Sequence, residues 1–457
     1  MDRREFLKLS GMAAAGLSSF DPRAALAAGK GQFVKGDLKL RITPVSLEIG
    51  PGKIIKTVGY DGSAPGPVLR FTEGKPITVD VFNETDVPET VHWHGQLIPS
   101  AVDGSTEEGT PAVPAGGHRR YRFTPNPAGT RWYHTHSMAH ADLTRAGFSG
   151  EFGLAIIEPR RHPGDYDQEI CIAVHHWEPT LGTMGPPDNG WEIMYGSATF
   201  NGKMLGAGEP VRVRQGQRVL FRLLNASATD EVRLALPGHQ FRVTAMDGNP
   251  VPRPQTVDML YLDIGERIDA IVEMKNPGVW VFGSVKEEER KMGMGVVVEY
   301  AGKGGDPQWQ QPANPGRGPW DYAMFSNDRP AVEPDHRFEM LIRKIPGNKK
   351  DFNHWTINGK SFPDIEKLRL EKDKRYRIFF NNDSGDIHPL HLHRHTFEIT
   401  EIAGKPMSGL MKDVVSVGSR STAAVDFTAN NPGLTLFHCH MQLHMDFGFM
   451  QLLEYIG

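Results

Sequence analysis

The stretch LFHCHMQLH, residues 436–444, carries one thiol and three imidazoles. In a β-strand successive side chains point to opposite faces, so His438 and His440 would share one face while Cys439 faces the other. A cysteine with two histidines and a weak fourth ligand is the donor set of a blue copper electron-transfer centre, and Cys439 and His444 supply two of those three strong ligands. The stretch therefore predicts two metal sites, one on each face of a strand.

Further histidine pairs complete this pattern. The segment HPLHLH, residues 388–393, offers His388 as the third strong ligand, and its pair His391 and His393 again shares one face. Eight neutral imidazoles beside a copper thiolate fit a cluster of about three copper ions better than a single ion, which takes about four to six ligands. The four pairs are His92 and His94, His134 and His136, His391 and His393, and His438 and His440.

These motifs resemble those of the multicopper oxidases, a laccase-like family, here of the three-domain bacterial type. The family's motifs run H-x-H-G, H-x-H, H-P-x-H-x-H and H-C-H-x-x-x-H, and all four occur in that order. The resemblance covers essentially the whole chain after its N-terminal segment. It implies an oxidase that couples one-electron oxidation of phenols, aromatic amines or similar donors to the four-electron reduction of dioxygen to water.

The resemblance also implies four copper ions per chain. The type 1 copper, which accepts electrons from the substrate, would be held by His388, Cys439 and His444. The type 2 copper would be held by His92 and His391. The two type 3 coppers would take the remaining six histidines, which are His94, His134, His136, His393, His438 and His440.

Acidic residues near these ligands bear on proton supply. Asp103 lies nine residues past His94, where relatives carry an acid that hydrogen-bonds water near the cluster; before a glycine it equally suits a turn. Ligand imidazoles need a partner on the second ring nitrogen, a role that suits backbone carbonyls or acids such as Asp413. Many relatives place a proton-donating Glu directly after the last histidine, but here Met445 stands there, followed by Asp446. The resemblance therefore leaves the proton donor open.

The axial position of the type 1 copper lies ten residues past Cys439 in the family, and Phe449 stands there. A phenyl ring cannot ligate copper. Without a thioether the cupric state is less stabilised, which predicts a comparatively high reduction potential. The alternative is a local bulge that brings Met450 into the axial position, because bulges re-aim side chains near active sites.

The rest of the sequence predicts an all-β chain. Turn residues separate short β-branched and aromatic runs, and no long helical periodicity occurs. A turn, a strand, a second turn and another strand recur in residues 61–83, 201–225 and 358–381. Three such copies predict three cupredoxin-like Greek-key β-sandwich or barrel domains.

Composition places the predicted domain limits. Segments rich in Pro and Gly set domain 1 at 28–160, domain 2 at 161–300, a linker at 301–330 and domain 3 at 331–457. The four histidine pairs fall in domains 1 and 3. The copper cluster is therefore expected between those two domains, with domain 2 as a spacer that also walls a substrate cleft.

The first 27 residues are predicted to be a twin-arginine signal peptide. Arg3 and Arg4 precede a mildly apolar run, and Ala25-Leu26-Ala27 offers a small-residue cleavage site. An amphipathic or disordered tail is the alternative. The signal predicts the twin-arginine export machinery as a partner and a periplasmic or secreted mature protein.

Overall composition excludes other classes of partner. The net charge of −4 over 457 residues gives no reason to expect nucleic acid, and no apolar run of 18 residues predicts a membrane span. The two cysteines, Cys171 and Cys439, predict no disulfide framework because copper claims one of them.

Two alternative functions remain open at this stage. Cu(I) or Fe(II) could be the reductant, in copper tolerance, because thioethers favour Cu(I) and Met441, Met445 and Met450 surround the type 1 site in sequence. Methionine is also ordinary core filler. A non-enzymatic periplasmic scaffold is the second alternative, which the complete ligand set disfavours. Neither the reducing substrate nor the oligomeric state follows from the motifs.

Overall fold

Some strands alternate buried and exposed residues, whereas others are buried along their whole length. In β3 (Leu69–Thr72) the side chains of Leu69 and Phe71 are buried, while those of Arg70 and Thr72 are exposed. The computed structural model describes residues 36–160, 164–184, 190–312, 320–327, 329–347 and 352–456. The predicted signal peptide, residues 1–27, lies outside them. The prediction of an all-β chain is confirmed.

The first group of strands forms two sheets, with strand orders β2-β1-β4-β5 and β3-β7-β6. Aromatic side chains fill the core between them, and Phe71, Trp93 and Tyr121 are all buried. The strands are β1 (Leu38–Gly50), β2 (Lys53–Tyr60), β3 (Leu69–Thr72), β4 (Ile77–Asn83), β5 (His118–Phe123), β6 (Gly129–His134) and β7 (Phe152–Glu158), with single 3₁₀ turns at Ser100–Val102 and Ala146–Phe148.

The second group forms a six-stranded sheet, β11-β8-β13-β18-β15-β16, a five-stranded sheet, β12-β20-β19-β14-β17, and the hairpin β9-β10. A short helix, α1 (Glu287–Lys291), precedes its last strand. The strands are β8 (Gln168–Trp177), β9 (Thr180–Met184), β10 (Gly190–Met194), β11 (Ser197–Phe200), β12 (Val211–Val213), β13 (Arg218–Asn225), β14 (Val232–Ala235), β15 (Phe241–Met246), β16 (Asn249–Val257), β17 (Leu260–Leu262), β18 (Arg267–Glu273), β19 (Val279–Ser284) and β20 (Gly295–Tyr300).

The third group repeats this plan with a six-stranded sheet, β22-β21-β24-β29-β26-β27, and a five-stranded sheet, β23-β31-β30-β25-β28. Tyr322–Phe325, a 3₁₀ turn, precedes it, and helix α2 (Gln442–Asp446) follows β30. The strands are β21 (His336–Ile345), β22 (His354–Ile357), β23 (Leu368–Glu371), β24 (Arg375–Asn382), β25 (His388–Leu392), β26 (Phe397–Ile402), β27 (Lys405–Lys412), β28 (Val414–Val417), β29 (Thr422–Thr428), β30 (Thr435–Cys439) and β31 (Met450–Ile456).

The sequence repeat corresponds to a repeated pairing scheme. In each group the first strand pairs in parallel with the second repeat strand, as β1 with β4, β8 with β13 and β21 with β24. The first repeat strand pairs in parallel with the last strand, as β3 with β7, β12 with β20 and β23 with β31. The three groups therefore share one cupredoxin-like topology, although the exact domain limits stay a prediction.

Residues from Asp37 onwards form one compact unit, so the three groups pack against one another. Arg222 on β13 shows this, because its guanidinium donates to Thr130 on β6 at 2.9 Å. Across the part of the chain that the structure describes, no helix is long and apolar enough to cross a membrane.

Candidate metal centre

The predicted type 1 donors converge from three elements of the third group. Cys439 ends β30, His388 begins β25 and His444 lies in α2. The Sγ atom of Cys439 lies 3.7 Å from Nδ1 of His388 and 3.4 Å from Nδ1 of His444, and the two nitrogens are 3.1 Å apart. The structure thus directs one sulfur and two nitrogens toward a single buried point.

Burial sets the protonation of these three groups. It raises the pKa of the Cys439 thiol well above its ordinary value and lowers the pKa of His388 and His444 well below theirs. Both rings are therefore neutral and have a lone pair to offer, whereas the thiol keeps its proton until a metal ion displaces it. A thiolate with two imidazoles is a donor set that suits copper.

The axial candidates lie in different surroundings. The ring of Phe449 is buried, and its centroid lies 5.0 Å from that of His388 in an edge-on arrangement. Met450, the next residue, packs into a separate apolar cluster with Leu436 and Met445. Phe449 therefore lies beside a predicted type 1 ligand, and its axial role stays a prediction.

The eight paired histidines come together between the first and third groups of strands. β25 and β30 are antiparallel neighbours, and their register sets His391 opposite His438. In the first group an isolated bridge sets His92 opposite His134. The ring centroids of His92 and His393, from different groups, are 4.0 Å apart and the rings are stacked. Pairs far apart in sequence therefore form one cluster.

Four buried nitrogens of this cluster have no hydrogen-bond partner among the described residues, namely Nε2 of His92, His391 and His440 and Nδ1 of His136. The Nδ1 of His391 donates to the carbonyl of Asp413 at 2.6 Å, and that of His92 donates to the carbonyl of Asp103 at 3.0 Å. In these two rings Nε2 is then the acceptor. A buried acceptor without a partner costs free energy, and a bound cation would remove that cost.

Two other rings of the cluster approach each other through their Nε2 atoms. Nε2 of His393 lies 3.0 Å from Nε2 of His438. The Nδ1 of His438 donates to the carbonyl of Cys439, and that of His393 donates to the carboxylate of Asp103, each at 2.8 Å. The two Nε2 lone pairs therefore face each other, which is favourable only with a positive charge beside them. The residues present fit copper, which imidazole suits as a ligand.

Burial also keeps seven rings of the cluster neutral. It lowers the pKa of His393 to about 4 and that of His440 to about 3. A neutral imidazole is the form that binds metal, so these rings can still bind a metal ion well below neutral pH. Burial lowers the pKa of five further rings well below the ordinary value, those of His94, His134, His136, His391 and His438.

Acidic groups hold the outer nitrogens of the cluster rings. Besides His393, the Oδ2 of Asp103 lies 3.0 Å from Nδ1 of His92, and these ring contacts hold the pKa of Asp103 well below its ordinary range. Asp413 likewise lies 3.0 Å from Nε2 of His94. Glu108 also contacts a ring of the cluster, which no sequence motif predicted. Its Oε2 lies 3.3 Å from Nδ1 of His393. The predicted contact of Asp103 with water stays a prediction.

The second group of strands also reaches the cluster, while its role as a spacer that walls a substrate cleft stays a prediction. Arg267 on β18 donates to both carboxylate oxygens of Asp413, each at 2.6 Å. Gly265 packs against His440 with a φ of +79°, and a Cβ there would lie 3.0 Å from that ring. The second group of strands thus holds Asp413, which contacts His94, in place through Arg267. Its Gly265 leaves room for the ring of His440.

The chain is all-β and places a cysteine and two histidines beside eight imidazoles. This fold and this donor set together define a class of proteins, the copper-dependent oxidoreductases. Three family models, each described as multicopper oxidase, match residues 42–162, 180–299 and 339–455. The chain is 30% identical over 454 residues to the multicopper oxidase MmcO of Mycobacterium tuberculosis, an alignment that covers 90% of this chain and 86% of that protein. The chain belongs to the multicopper oxidase family.

Two other relatives support the family. The copper resistance protein A of Escherichia coli is 24% identical, with 98% of each chain covered. A crystal structure of a multicopper oxidase from Pseudomonas thermotolerans superposes with a TM-score of 0.72 and 26% identity, covering 92% of this chain and 98% of that one. The protein is therefore a copper enzyme that oxidises a reducing substrate and passes the electrons to dioxygen, and the scaffold alternative is set aside.

Proposed function

We propose that the protein binds four copper ions in the family's arrangement. The observation that carries this proposal is the position of Cys439, whose sulfur faces His388 and His444 while its covalent neighbours His438 and His440 lie in the histidine cluster. The type 1 copper binds to His388, Cys439 and His444, and the type 2 copper to His92 and His391. The type 3 coppers bind to His94, His134, His136, His393, His438 and His440.

Bound copper supplies the redox chemistry, taking single electrons from the reductant and delivering four of them to dioxygen. The chain supplies a continuous route between the two sites, because His438 and His440 are the covalent neighbours of Cys439. It also excludes solvent, since Cys439, His388 and the cluster rings are buried. Water exclusion strengthens the electrostatic influence of nearby protein groups on the ions.

The reducing substrate binds in a cavity of about 220 Å³ that His444 lines. The ring of Trp355 lies against His444 with centroids 3.8 Å apart, and Phe352 and Phe447 form further walls. These aromatic walls suit a planar ring, which supports phenols or aromatic amines as donors.

A low-valent metal ion is the second candidate substrate. Met441 lines the same cavity together with the carboxyl-bearing Asp230, Glu231 and Asp386. A thioether with carboxylates can hold Cu(I) or Fe(II) close to His444. One relative is named a copper resistance protein, which supports this alternative.

Export through the twin-arginine pathway is part of the proposal. It is supported by Arg3 and Arg4 ahead of an apolar run and a small-residue cleavage site. The mature protein is then periplasmic or secreted.

Oxygen consumption tests the substrate class directly. Copper-loaded protein is compared with a phenol, an aromatic amine, Cu(I) and Fe(II) as the donor, with bovine serum albumin carrying the same copper as the control. Faster turnover with the organic donors supports the first candidate, and faster turnover with the ions supports the second. A copper-loaded protein without an intense visible band from thiolate-to-copper charge transfer would overturn the copper assignment.

A further inference from the structure

A small cavity lies against the cluster histidines. It measures about 30 Å³, enough for one or two water molecules, and His134, His136, His438 and His440 form part of its wall. The rest of the wall includes the polar side chain of Glu151. A carboxyl group from the first group of strands and four rings of the cluster therefore line the same small cavity.

Glu151 is buried, with 3% of its surface exposed. Its Oε2 accepts a hydrogen bond from the Ser149 hydroxyl at 3.2 Å, whereas its Oε1 is buried and has no hydrogen-bond partner among the described residues. A buried carboxylate oxygen without a donor is costly, so this side chain favours the protonated form. A protonated carboxyl group can donate into the cavity.

Burial and a neighbouring carboxylate also favour the protonated form of Glu151. Burial, and then the Glu89 carboxylate, raise the pKa of Glu151 well above its ordinary value, while the Ser149 hydroxyl and the Arg145 guanidinium oppose this. The phenol of Tyr60 is the other titratable group that faces it, and it is buried and neutral. Glu151 is therefore an acid that holds its proton to a higher pH than an ordinary glutamate does.

The other side of Glu151 borders a second, wider cleft. Glu151 and Ser149 also line a wider cleft of about 350 Å³, whose walls include the exposed residues Lys56, Asp86 and Thr144. The carboxyl group thus lies between a cleft that bulk water enters and the cavity at the cluster. A proton lost toward the cavity can be replaced from the cleft.

In this chain no acidic residue stands at the position where many relatives carry a proton-donating Glu. Met445, which stands where many relatives carry Glu, lines the cavity together with Glu151. The next residue, Asp446, does not line the cavity. Its carboxylate accepts from the backbone N–H groups of Ala139 and His140 and from the Gln442 amide, at 2.7–2.9 Å. Of the two acidic residues Glu151 and Asp446, only Glu151 borders the cavity.

We propose that Glu151 delivers protons, through water in this cavity, to the oxygen atoms of dioxygen as they are reduced. Reduction of one dioxygen to two waters takes up four electrons, from four one-electron oxidations of the reducing substrate, and four protons. In each transfer the O–H bond of Glu151 breaks, its proton passes through water to oxygen, and the carboxylate takes up a replacement proton from bulk solvent, relayed by water in the cleft. The inference rests on the copper assignment proposed above.

The variant Glu151→Gln keeps the shape of the side chain and removes the acid. We expect kcat to fall by roughly 100-fold, the usual contribution of a general acid, with the KM of the reducing substrate unchanged. Wild-type kcat should fall as pH rises through the pKa of Glu151, because the donor is then deprotonated, and the variant should lose that decline. Copper content and the visible band should match the wild type, and the infrared carbonyl stretch of a protonated acid should be lost from the copper-free protein.

Two further variants sharpen the test. Glu158→Gln is the matched control, because Glu158 ends β7, the strand that directly follows Glu151, and pairs with Arg70 at the surface, and its kcat should stay near that of the wild type. Adding Met445→Glu to Glu151→Gln returns a carboxyl group to the cavity and should recover at least about tenfold in kcat. Unchanged kcat in Glu151→Gln, or a loss of copper that accounts for its lower rate, would overturn the proposal. Absence of the visible band from the wild type would instead overturn the copper assignment.

Discussion

Single residues in this protein serve two sites at once. Cys439 offers its sulfur to one site while its two covalent neighbours, His438 and His440, belong to the other. Asp103 similarly contacts His92 and His393, which come from different groups of strands. Substituting one such side chain should therefore separate functions that the wild type couples.

Replacing Cys439 by Ser should remove the visible band and stop oxidation of the substrate, because a hydroxyl cannot replace the thiolate ligand. The histidine pairs should still hold the cluster coppers, so copper analysis should find about three ions per chain instead of four. Absorbance, copper content and oxygen consumption are measured on one preparation. Turnover of a phenol at a rate near that of the wild type would show that electrons do not enter through this residue.

Replacing Phe449 by Met should lower the reduction potential of the type 1 copper. A thioether beside His388 can add a weak bond that stabilises the cupric state. A shift of about 60 mV corresponds to a tenfold change in a one-electron equilibrium, and we expect a drop of roughly that size. Redox titration of the visible band measures it, with copper content as the control. A potential that stays constant or rises would make Met450 the leading axial candidate.

At the scale of the elements, β25 and β30 build both sites because their register is fixed by neighbours. β30 is buried along its whole length and pairs with β25 on one side and β31 on the other. A slip of one residue would move His438 and His440 to the face of Cys439. From the second group of strands, β18 contributes Arg267, whose guanidinium holds Asp413 against the cluster.

Replacing Arg267 by Met should destabilise the protein and weaken copper binding. Removing one partner of a buried ion pair typically costs about 3–5 kcal/mol, because the other charge is left buried. Arg267→Lys keeps the charge but loses the two-pronged contact, so it should fall between Met and the wild type. Melting temperature and copper content are the measurements. The control is Arg212→Met, because Arg212 pairs with Glu209 at an exposed site and should have little effect.

The sequence predicted the elements that local patterns encode. Alternating burial identifies strands such as β3, and paired histidines identify ligands, because both signals lie within a few residues. Arg267 and Glu151 could not be predicted in this way. Arg267 meets Asp413 across 146 positions of sequence, and the cavity beside Glu151 exists only once several strands have packed. Neither the Arg267–Asp413 contact nor the position of Glu151 beside the cavity produces a periodic pattern in the sequence.

At the scale of the whole molecule, the candidate cluster joins the first and third groups of strands. Four of its histidines come from residues 92–136 and four from residues 391–440. Ions bound there would connect the two ends of the chain more firmly than the packed surfaces do alone. Copper should therefore contribute to the stability of the complete protein and not only to its activity.

Removal of copper should lower the melting temperature. A ligand that binds only the folded state at a free concentration of about 100 times its Kd stabilises by about 2.7 kcal/mol per site. Calorimetry of the chelated, wild-type and copper-reloaded protein measures the difference, and reloading should restore the original value. Identical melting temperatures with and without copper would contradict a bridging site.

Replacing Arg3 and Arg4 together by Lys should leave the precursor in the cytoplasm, because the export machinery reads the paired arginines. Cell fractionation with antibody detection measures the distribution. A matched change of Arg23 to Lys, outside the pair, should leave export intact. Unchanged periplasmic activity in the Arg3 and Arg4 variant would refute the signal assignment.

The order of the ligands along the chain has a consequence for biosynthesis. A ribosome that has made the first 380 residues has produced four of the eleven proposed donors, and the other seven follow between residues 388 and 444. The nascent protein therefore has no complete binding site for either group of ions until this late segment has been made and has packed against the first group of strands. Metal acquisition must follow synthesis of this segment, so premature termination anywhere before His444 yields a polypeptide that cannot become the enzyme.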